Sequence, residues 1–320
     1  MLRSFLIYLS KAPWARKIVT SWSFAWHAAS RFIAGEEIED AIQVIRSLND
    51  KGINATLDHL GEHTHTAADA QNATDTILAI FDAINQSDIR SNVSIKLTQI
   101  GLALDADLCA ANLTKILARA KEYSNFVRID MEDSPWVEST LALYRKMHLN
   151  KGFDNVGVVI QSYLFRSEGD VRQLIEECTG VRLCKGAYKE PPEIAYPKKG
   201  DVDANYDRLA RMLIDGSIAS GCPQLSPDGR IPPTVALATH DERRITYARS
   251  YADEASFPKH ALEFQMLHGI RRDLQEQLTQ AGYPVRVYVP YGREWYPYFT
   301  RRLAERPANL WFFISNFFRR

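Results

Sequence analysis

Short apolar runs alternate with longer amphipathic segments along most of the chain. Eight of the apolar runs have the length and β-branched content of buried strands. They predict strands at 53–60, 93–100, 126–131, 156–164, 181–188, 234–240, 262–267 and 285–290. The segments between them predict helices at 66–84, 105–123, 134–147, 167–178, 203–219, 241–251 and 271–281. This alternation is typical of βαβ units, and eight strands predict a closed α/β barrel of the (β/α)8 type.

Length and charge restrict the class of protein further. The chain has 320 residues, of which 46% are hydrophobic, and its 39 basic residues balance its 39 acidic ones. One barrel would fill most of this length. A net charge of zero argues against a nucleic-acid partner, which requires a basic surplus. No run of about 18 apolar residues predicts a membrane span. The four cysteines lack CxxC spacing, so we expect neither disulfides nor a thiolate metal site.

The two ends differ in composition from the body. The first acidic residue is Glu36, and the segment before it is basic and aromatic. The last twelve residues, 309–320, carry a tryptophan and four phenylalanines before a terminal arginine pair. We therefore predict N-terminal helices at 1–35, a barrel at 36–308 and an aromatic amphipathic tail at 309–320. Both ends suit a lipid interface, and packing on the chain's own body or on a second subunit is the alternative.

Unusual polar residues occur where the predicted strands end. Ligands of (β/α)8 barrels bind at the carboxyl ends of the strands, so these side chains are candidates for a site. They are Lys96, Asp130, Gln161, Arg182, Lys185, Thr239, His240 and Tyr288. A charge inside a buried strand needs a partner or a ligand to offset its desolvation. Each residue alone could belong to a structural ion pair, but their recurrence on many strands favours a shared site.

The last strand leads through a Pro-Tyr-Gly turn into a helix that carries Arg301, Arg302 and Glu305. We predict that this helix lies over the barrel mouth. Two adjacent guanidiniums facing a cleft can donate several charge-assisted hydrogen bonds to one carboxylate. The pattern therefore suggests a small carboxylic acid as ligand. The alternative is that both arginines and Arg306 form a solvated helix face.

Nine motifs in this order resemble monofunctional, FAD-dependent proline dehydrogenases. The resemblance covers about 58–306. The motifs are LDHLGE (57–62), VSIKLTQIGL (93–102), VRIDME (127–132), QSYL (161–164), VRLCKGAYKEP (181–191), ATHD (238–241), EFQMLHGI (263–270), VYVPYG (287–292) and YFTRRLAE (298–305). Their combination is specific, whereas a short motif such as QSYL alone would carry no weight.

The resemblance implies oxidation of L-proline to Δ1-pyrroline-5-carboxylate by hydride transfer to flavin N5. It places Lys96, Arg301 and Arg302 on the substrate carboxylate. It implies that the proline ring is enclosed by Tyr188, Leu267, Tyr288 and Tyr298. Glu305 would pair with Lys96 or lie near the substrate amine. Asp130 would hold Tyr288 and the arginines in position, and Glu62 would gate the site.

The resemblance also implies FAD across the barrel mouth, since no GxGxxG follows a strand. Gln161 would bond the isoalloxazine ring and Arg182 would lie near N5. The ribityl and pyrophosphate parts would be bound by Lys185, Gly186, Ala187, Thr239 and His240. Gly186 would allow close approach of the backbone. Asp241 stands where the family often has Asn, which leaves an adenine-side role for this position open.

Family membership would also define the partners. Electrons would pass to a membrane quinone, which agrees with the basic, aromatic ends. The chain is too short for a second dehydrogenase domain, so a separate pyrroline-5-carboxylate dehydrogenase would act on the product. We therefore expect a cytoplasmic enzyme bound peripherally to a membrane, or one on the matrix face of the inner membrane if the source is a mitochondrion.

Two other classes remain compatible with the residues. One is a barrel lyase that uses a metal or an imine on Lys96 or Lys185. His63 and His65 lack the third ligand that a catalytic metal normally needs, so no metal is predicted. The other is an inactive module that binds a membrane surface through the aromatic ends. Flavin colour separates the dehydrogenase from both.

Overall fold

Eight parallel strands form a closed barrel in this computed structural model. The structure describes residues 26, 29–61, 64–221 and 226–305, without the side chains of 303–305. The strands are β1 (Asn54–His59), β2 (Ser91–Ile95), β3 (Val127–Ile129), β4 (Val156–Gln161), β5 (Gly180–Cys184), β6 (Val235–Ala238), β7 (Leu262–Leu267) and β8 (Val285–Tyr291). Each strand pairs with the next in sequence order, and β8 closes on β1. The predicted (β/α)8 barrel is confirmed.

In the described ranges one α-helix precedes the first strand, and one α-helix follows each of the eight strands. They are α1 (Ile38–Asn49), α2 (Ala67–Ser87), α3 (Ala106–Glu122), α4 (Ser134–Arg145), α5 (Ser167–Glu176), α6 (Lys199–Ser220), α7 (Glu242–Glu254), α8 (Arg272–Gln280) and α9 (Trp295–Glu305). A π-helix at Lys146–Asn150 extends α4, and a 3-10 turn at Lys259–Ala261 precedes β7. None of the helices in the described ranges is long and apolar enough to cross a membrane.

Helix α1 was not among the predicted barrel helices. Its start is stabilised by a capping box in which the side chains of Glu37 and Asp40 receive each other's backbone N–H groups. Ala41, Ile42 and Ile45 are buried on one face, and the helix packs against β1 and β8. The helix therefore covers the seam at which the barrel closes.

Helix α9 packs against the residues that precede α1. Its aromatic face, including Trp295 and Phe299, forms a buried cluster with Phe32, Ile33 and Leu60. The described part of the N-terminal segment thus packs on the chain's own body. The rest of the predicted N-terminal helices and the whole predicted tail lie outside the described residues.

Several strands end earlier than predicted, and this changes where the site residues lie. Strand β2 ends at Ile95 because the chain turns at once, with the Gln99 N–H donating to the Lys96 carbonyl. Strand β5 ends at Cys184, and Gly186 follows with φ +110°. Lys96 and the segment 185–188 therefore belong to loops at the barrel mouth, where side chains can reach a ligand.

The barrel interior is polar, unlike the apolar layer between strands and helices. Arg128 and Arg286 are among the largest fully buried side chains. Arg286 forms an ion pair of 2.9 Å with Glu263, which is also fully buried. Arg128 donates to the carbonyls of Val158 and Gly180. Buried charges require such partners because desolvation is costly.

Candidate active site

A cavity of about 650 Å³ lies at the carboxyl ends of the strands. It brings together nearly all of the candidate residues from strands β2 to β8, the loop after β5 and helix α9. The predicted residues that line it are Lys96, Asp130, Gln161, Arg182, Lys185, Gly186, Ala187, Tyr188, Thr239, His240, Leu267, Tyr288, Tyr298, Arg301 and Arg302. Glu62, the predicted gate, and the side chain of Glu305 lie outside the described residues, so their roles stay predictions.

Asp130 is the centre of a hydrogen-bonded group inside this cavity. Its carboxylate accepts from Arg182 Nη1 at 2.8 Å and from the Tyr288 hydroxyl at 2.7 Å. Burial raises the pKa of Tyr288 well above its usual value, and Asp130 and Asp58 raise it further. The hydroxyl therefore keeps its proton and donates a hydrogen bond to Asp130. The arginine that the structure places on this carboxylate is Arg182, from β5.

Lys96 is paired with carboxylates of the neighbouring strands. Its Nζ lies 3.3 Å from Asp58 Oδ1 and 3.9 Å from Asp130 Oδ2. Asp58 is buried at the end of β1 and was missed in the sequence, although it interrupts an apolar run as Asp130 does. The pair with Asp58 holds the lysine against the cavity wall, next to the place where a ligand carboxylate would lie.

Helix α9 contributes two further cations to the cavity. Arg301 and Arg302 both line it, and the Arg302 guanidinium lies 5.0 Å from the centroid of the Tyr298 ring. Contact with an aromatic face restrains a guanidinium without using its hydrogen-bond donors. Together with Lys96, the arginines form a cationic wall suited to a carboxylate.

Gln161 is suited to a ligand with an N–H group. Its Nε2 donates to the Met131 carbonyl at 3.4 Å, whereas its Oε1 is buried and has no hydrogen-bond partner among the described residues. A buried acceptor left unpaired is costly, so a ligand donor at this position would be stabilising. The isoalloxazine ring carries such a donor, and the residue fits the predicted contact.

The loop after β6 holds two more predicted cofactor residues in defined orientations. His240 Nε2 accepts from the Leu267 N–H at 2.9 Å, which leaves the proton of a neutral ring on Nδ1. Thr239 Oγ1 accepts from the Asp241 N–H at 3.1 Å. The first bond joins His240 to Leu267, which was predicted to line the substrate pocket.

Lys185 lies in an ion-pair network that the sequence did not reveal. Its Nζ bonds to Asp203 Oδ1 at 2.5 Å and to Asp241 Oδ2 at 2.7 Å. Lys199 pairs with the same two carboxylates. A phosphate bound here would therefore share the lysine with two anions, and Asp241 contributes to the site by holding Lys185.

Gly186 is needed for a contact within the protein. A Cβ added there would lie 2.3 Å from the ring of Tyr163, and its φ of +110° disfavours other residues. Tyr163 thus approaches the Gly186 backbone as closely as was predicted for the cofactor.

No group of three potential metal ligands occurs in the described ranges. Cys109 is buried, Cys184 is partly buried beside the cavity, and Cys178 is exposed. His63, one of the two histidines considered as metal ligands, lies outside the described residues.

Comparison with known proteins was decisive for the family. Residues 41–314 match the family model for proline dehydrogenase. The chain belongs to the proline dehydrogenase family. It is therefore an oxidoreductase that acts on proline, as the motifs implied. The chain is 43% identical over 294 residues to a proline dehydrogenase of Deinococcus radiodurans, covering 91% of this chain and 90% of the relative.

Other relatives support the same assignment. Proline dehydrogenase 2 of Bacillus subtilis is 38% identical over 311 residues, covering 97% of this chain and 96% of the relative. A crystal structure of proline utilization A (PutA) from Bdellovibrio bacteriovorus, inactivated by N-propargylglycine, superposes with a TM-score of 0.78 at 26% identity. It matches 88% of this chain, which spans only 33% of that longer protein.

Proposed function

We propose that the protein oxidises L-proline to Δ1-pyrroline-5-carboxylate with FAD as hydride acceptor. The proposal rests on two features that occur together in the cavity of this member of the proline dehydrogenase family. A cationic wall of Lys96, Arg301 and Arg302 faces the same space as the hydrogen-bonded group around Asp130. The wall suits a carboxylate, and the rest of the cavity offers ring contacts and a buried, unpaired acceptor.

The cationic wall would orient the substrate through its carboxylate. Arg301 and Arg302 would donate charge-assisted hydrogen bonds, and Lys96, restrained by Asp58, would add a third cation. Fixing one end of proline places the ring carbon beside nitrogen at a defined distance from the flavin. The tyrosines at 188, 288 and 298 and Leu267 would enclose the ring and exclude water.

The reaction removes a hydride from the ring carbon and a proton from the ring nitrogen, which leaves a C=N bond. FAD supplies the hydride acceptor when it is bound. A neutral amine is required for this step, and a cationic wall disfavours a second positive charge on the substrate nitrogen. Loss of the amine proton on binding is therefore the contribution that we assign to Lys96, Arg301 and Arg302.

The chain's own residues would hold FAD at three places. Gln161 Oε1 would accept from the ring N–H, and Arg182 would place a positive charge beside the reacting edge. Lys185 with Gly186, Ala187, Thr239 and His240 would contact the ribityl and pyrophosphate parts. The unpaired Gln161 acceptor supports the first of these contacts.

The lyase alternative is weakened by the ion pairs of its candidate lysines. Lys96 and Lys185 are each held by carboxylates through ion pairs. An imine-forming lysine must leave such a pair to attack a carbonyl carbon. Borohydride treatment in the presence of a small 2-oxo acid such as pyruvate is therefore expected to leave the protein mass unchanged, and a reduced adduct on either lysine would support the lyase instead.

We further propose that a membrane quinone accepts the electrons and that the protein is peripheral to that membrane. Phe165 and Ile194, which follow β4 and β5 on the mouth face, are 44% and 36% exposed. In the sequence, the basic, aromatic ends lie next to the segment 29–33 and to helix α9, which pack against each other. A separate pyrroline-5-carboxylate dehydrogenase would then consume the product, and the cytoplasm or a mitochondrial matrix would be the compartment.

The membrane proposal is tested by truncation. Deleting 1–25 and 311–320 keeps the packed segment 29–33, and we expect loss of liposome binding and of quinone reduction with retained activity toward a soluble dye. The matched control removes exposed apolar side chains on the opposite face, Leu149→Ser with Ile218→Ser, and should leave both properties intact. Unchanged liposome binding after truncation would contradict the proposal.

A further inference from the structure

Arg182 is held by residues of two other strands and by Asp130, which directly follows β3. Its Nε donates to Gln265 Oε1 on β7, and its Nη1 donates to Asp130 Oδ1 at 2.8 Å and to Ser94 Oγ on β2 at 3.1 Å. The guanidinium also lies 5.4 Å from the centroid of the Tyr288 ring. These contacts use Nε and both hydrogens of Nη1, so Nη2 is the donor that remains for the cavity.

Gln265 can hold Arg182 only in one orientation of its amide. The carbonyl oxygen must face the Arg182 Nε–H, because a flipped amide would set two donors against each other. Its Nε2 then points away and donates to Glu263 Oε1 at 2.5 Å. Glu263 Oε1 also accepts from Arg286, so a flipped amide would set two acceptors together there.

Glu263 is itself held in place by Arg286 on β8. Arg286 donates through Nε to Glu263, through Nη1 to the Ala55 carbonyl at 2.7 Å and through Nη2 to the Gly229 carbonyl at 2.6 Å. All of these side chains are buried. A continuous series of hydrogen bonds thus runs from Arg286 through Glu263 and Gln265 to Arg182 at the cavity.

We infer that Gln265 is a positioning residue that holds the Arg182 guanidinium against the flavin, with Glu263 setting the orientation of its amide. This inference rests on the proposed function, because the charge of Arg182 matters through bound FAD. A fixed cation beside the ring favours the electron-rich reduced flavin over the oxidised form. Gln265 therefore raises the flavin reduction potential through its hydrogen bond to Arg182.

The test is Gln265→Met, which keeps the length of the side chain and removes both hydrogen-bonding groups. We expect the equilibrium constant for flavin reduction to fall about tenfold, which is a decrease of about 30 mV for a two-electron couple. The rate of flavin reduction by proline should fall, while KM for proline changes less than twofold. A potential within 5 mV of wild type, on the order of experimental error against that shift, would overturn the inference.

The matched control is Thr56→Val, which removes another buried hydrogen bond of the barrel interior. Thr56 Oγ1 donates to Asn92 Oδ1 at 2.6 Å, whereas the side-chain hydrogen bonds of Arg182 go to other residues. Both variants should lose some stability, but only Gln265→Met should lower the potential. A similar fall in both variants would show that the potential follows general loosening of the barrel, and would reject the inference.

A double-mutant cycle shows whether the effect passes through Arg182. In an Arg182→Lys background the Nε–H donor is absent, so adding Gln265→Met should change the potential little further. Equal shifts in both backgrounds would mean that Gln265 acts on the flavin by another route.

A measurement on the flavin-free protein separates this inference from the proposed function. With 15N-labelled arginine, the Nε–H of Arg182 should exchange slowly with solvent in the wild type and in Thr56→Val, and rapidly in Gln265→Met. Absence of FAD from a protein that shows this pattern would reject the proposed function and leave the positioning contact intact. Equal exchange in all three would reject the contact itself.

Discussion

Tyr288→Phe probes the hydrogen-bonded group around Asp130 with the loss of one oxygen atom. The Tyr288 hydroxyl donates to Asp130 Oδ2 at 2.7 Å, and its high pKa keeps it protonated. Phenylalanine preserves the ring and its contact with the Arg182 guanidinium. The substitution therefore isolates one hydrogen bond to a carboxylate.

The size of the effect follows from the charge on the acceptor. A hydrogen bond to a charged group contributes about 1.5 to 3 kcal/mol. Without this hydrogen bond, Asp130 still pairs with Arg182 and, at a longer distance, with Lys96. The ring at position 288 is then no longer held in place by a hydrogen bond. If the bond persists in the transition state, kcat/KM should fall about 10- to 150-fold, since each 1.4 kcal/mol is a factor of ten.

The assay is steady-state oxidation of proline with a soluble dye as acceptor, after adjustment for flavin content. Tyr291→Phe is the control, because Tyr291 lies on the same strand and its hydroxyl has no hydrogen-bond partner among the described residues. We expect kcat/KM of this control to stay within about twofold of wild type. A fall of less than about threefold in Tyr288→Phe would refute the role given to the Asp130 bond.

Three further predictions address the cationic wall, thiol reactivity and acid stability. Arg301→Met and Arg302→Met should each raise KM for proline about tenfold or more without loss of bound flavin, and an unchanged KM would remove them from the carboxylate site. Burial raises the pKa of the Cys184 thiol to about 12, so iodoacetamide at pH 8 should label exposed Cys178 and spare Cys184, as mass mapping would show. Burial lowers the pKa of His268 to about 4, below the unfolded value of about 6.5, so stability should fall as the pH falls through this window. Urea unfolding at pH 7 and pH 4.5 should show a smaller loss of unfolding free energy in His268→Gln than in the wild type. An identical loss in both proteins would refute the contribution of His268.

The order of the elements and the face that carries the site could be predicted from the sequence. Apolar runs of strand length recur eight times, and the carboxyl ends of parallel strands must meet at one end of a closed barrel. The gathering of Lys96, Asp130 and Tyr288 at that end follows from this geometry alone. The helix that carries Arg301 and Arg302 follows the last strand and so starts at the same end.

Pairing between side chains could not be predicted in the same way. The stagger of the strands around the barrel determines which interior side chains meet. The residue pattern along one strand carries no information about that stagger. Asp58 was therefore missed as the partner of Lys96, and Asp203 as a partner of Lys185. Gln265 was visible in a motif, but its contact with Arg182 depends on strands 83 residues apart in the chain.

The positions at which the strands end also could not be predicted from the sequence pattern. The run 93–100 stays apolar after β2 ends, because Leu97 and Ile100 remain buried in the turn that follows. Hydrophobicity reports burial and not backbone direction, so the turn was included in the predicted strand. Helix α1 was missed although local signals are present, namely the capping-box residues Glu37 and Asp40 and apolar residues at helical spacing.

The most direct test of the proposed activity is an absorption spectrum of the purified protein, recorded without oxygen before and after addition of L-proline. The account predicts flavin bands, with a maximum near about 450 nm, that bleach when proline is added and do not bleach with D-proline at the same concentration. A colourless protein that stays inert after FAD is supplied, or a flavin that proline does not reduce, would contradict it.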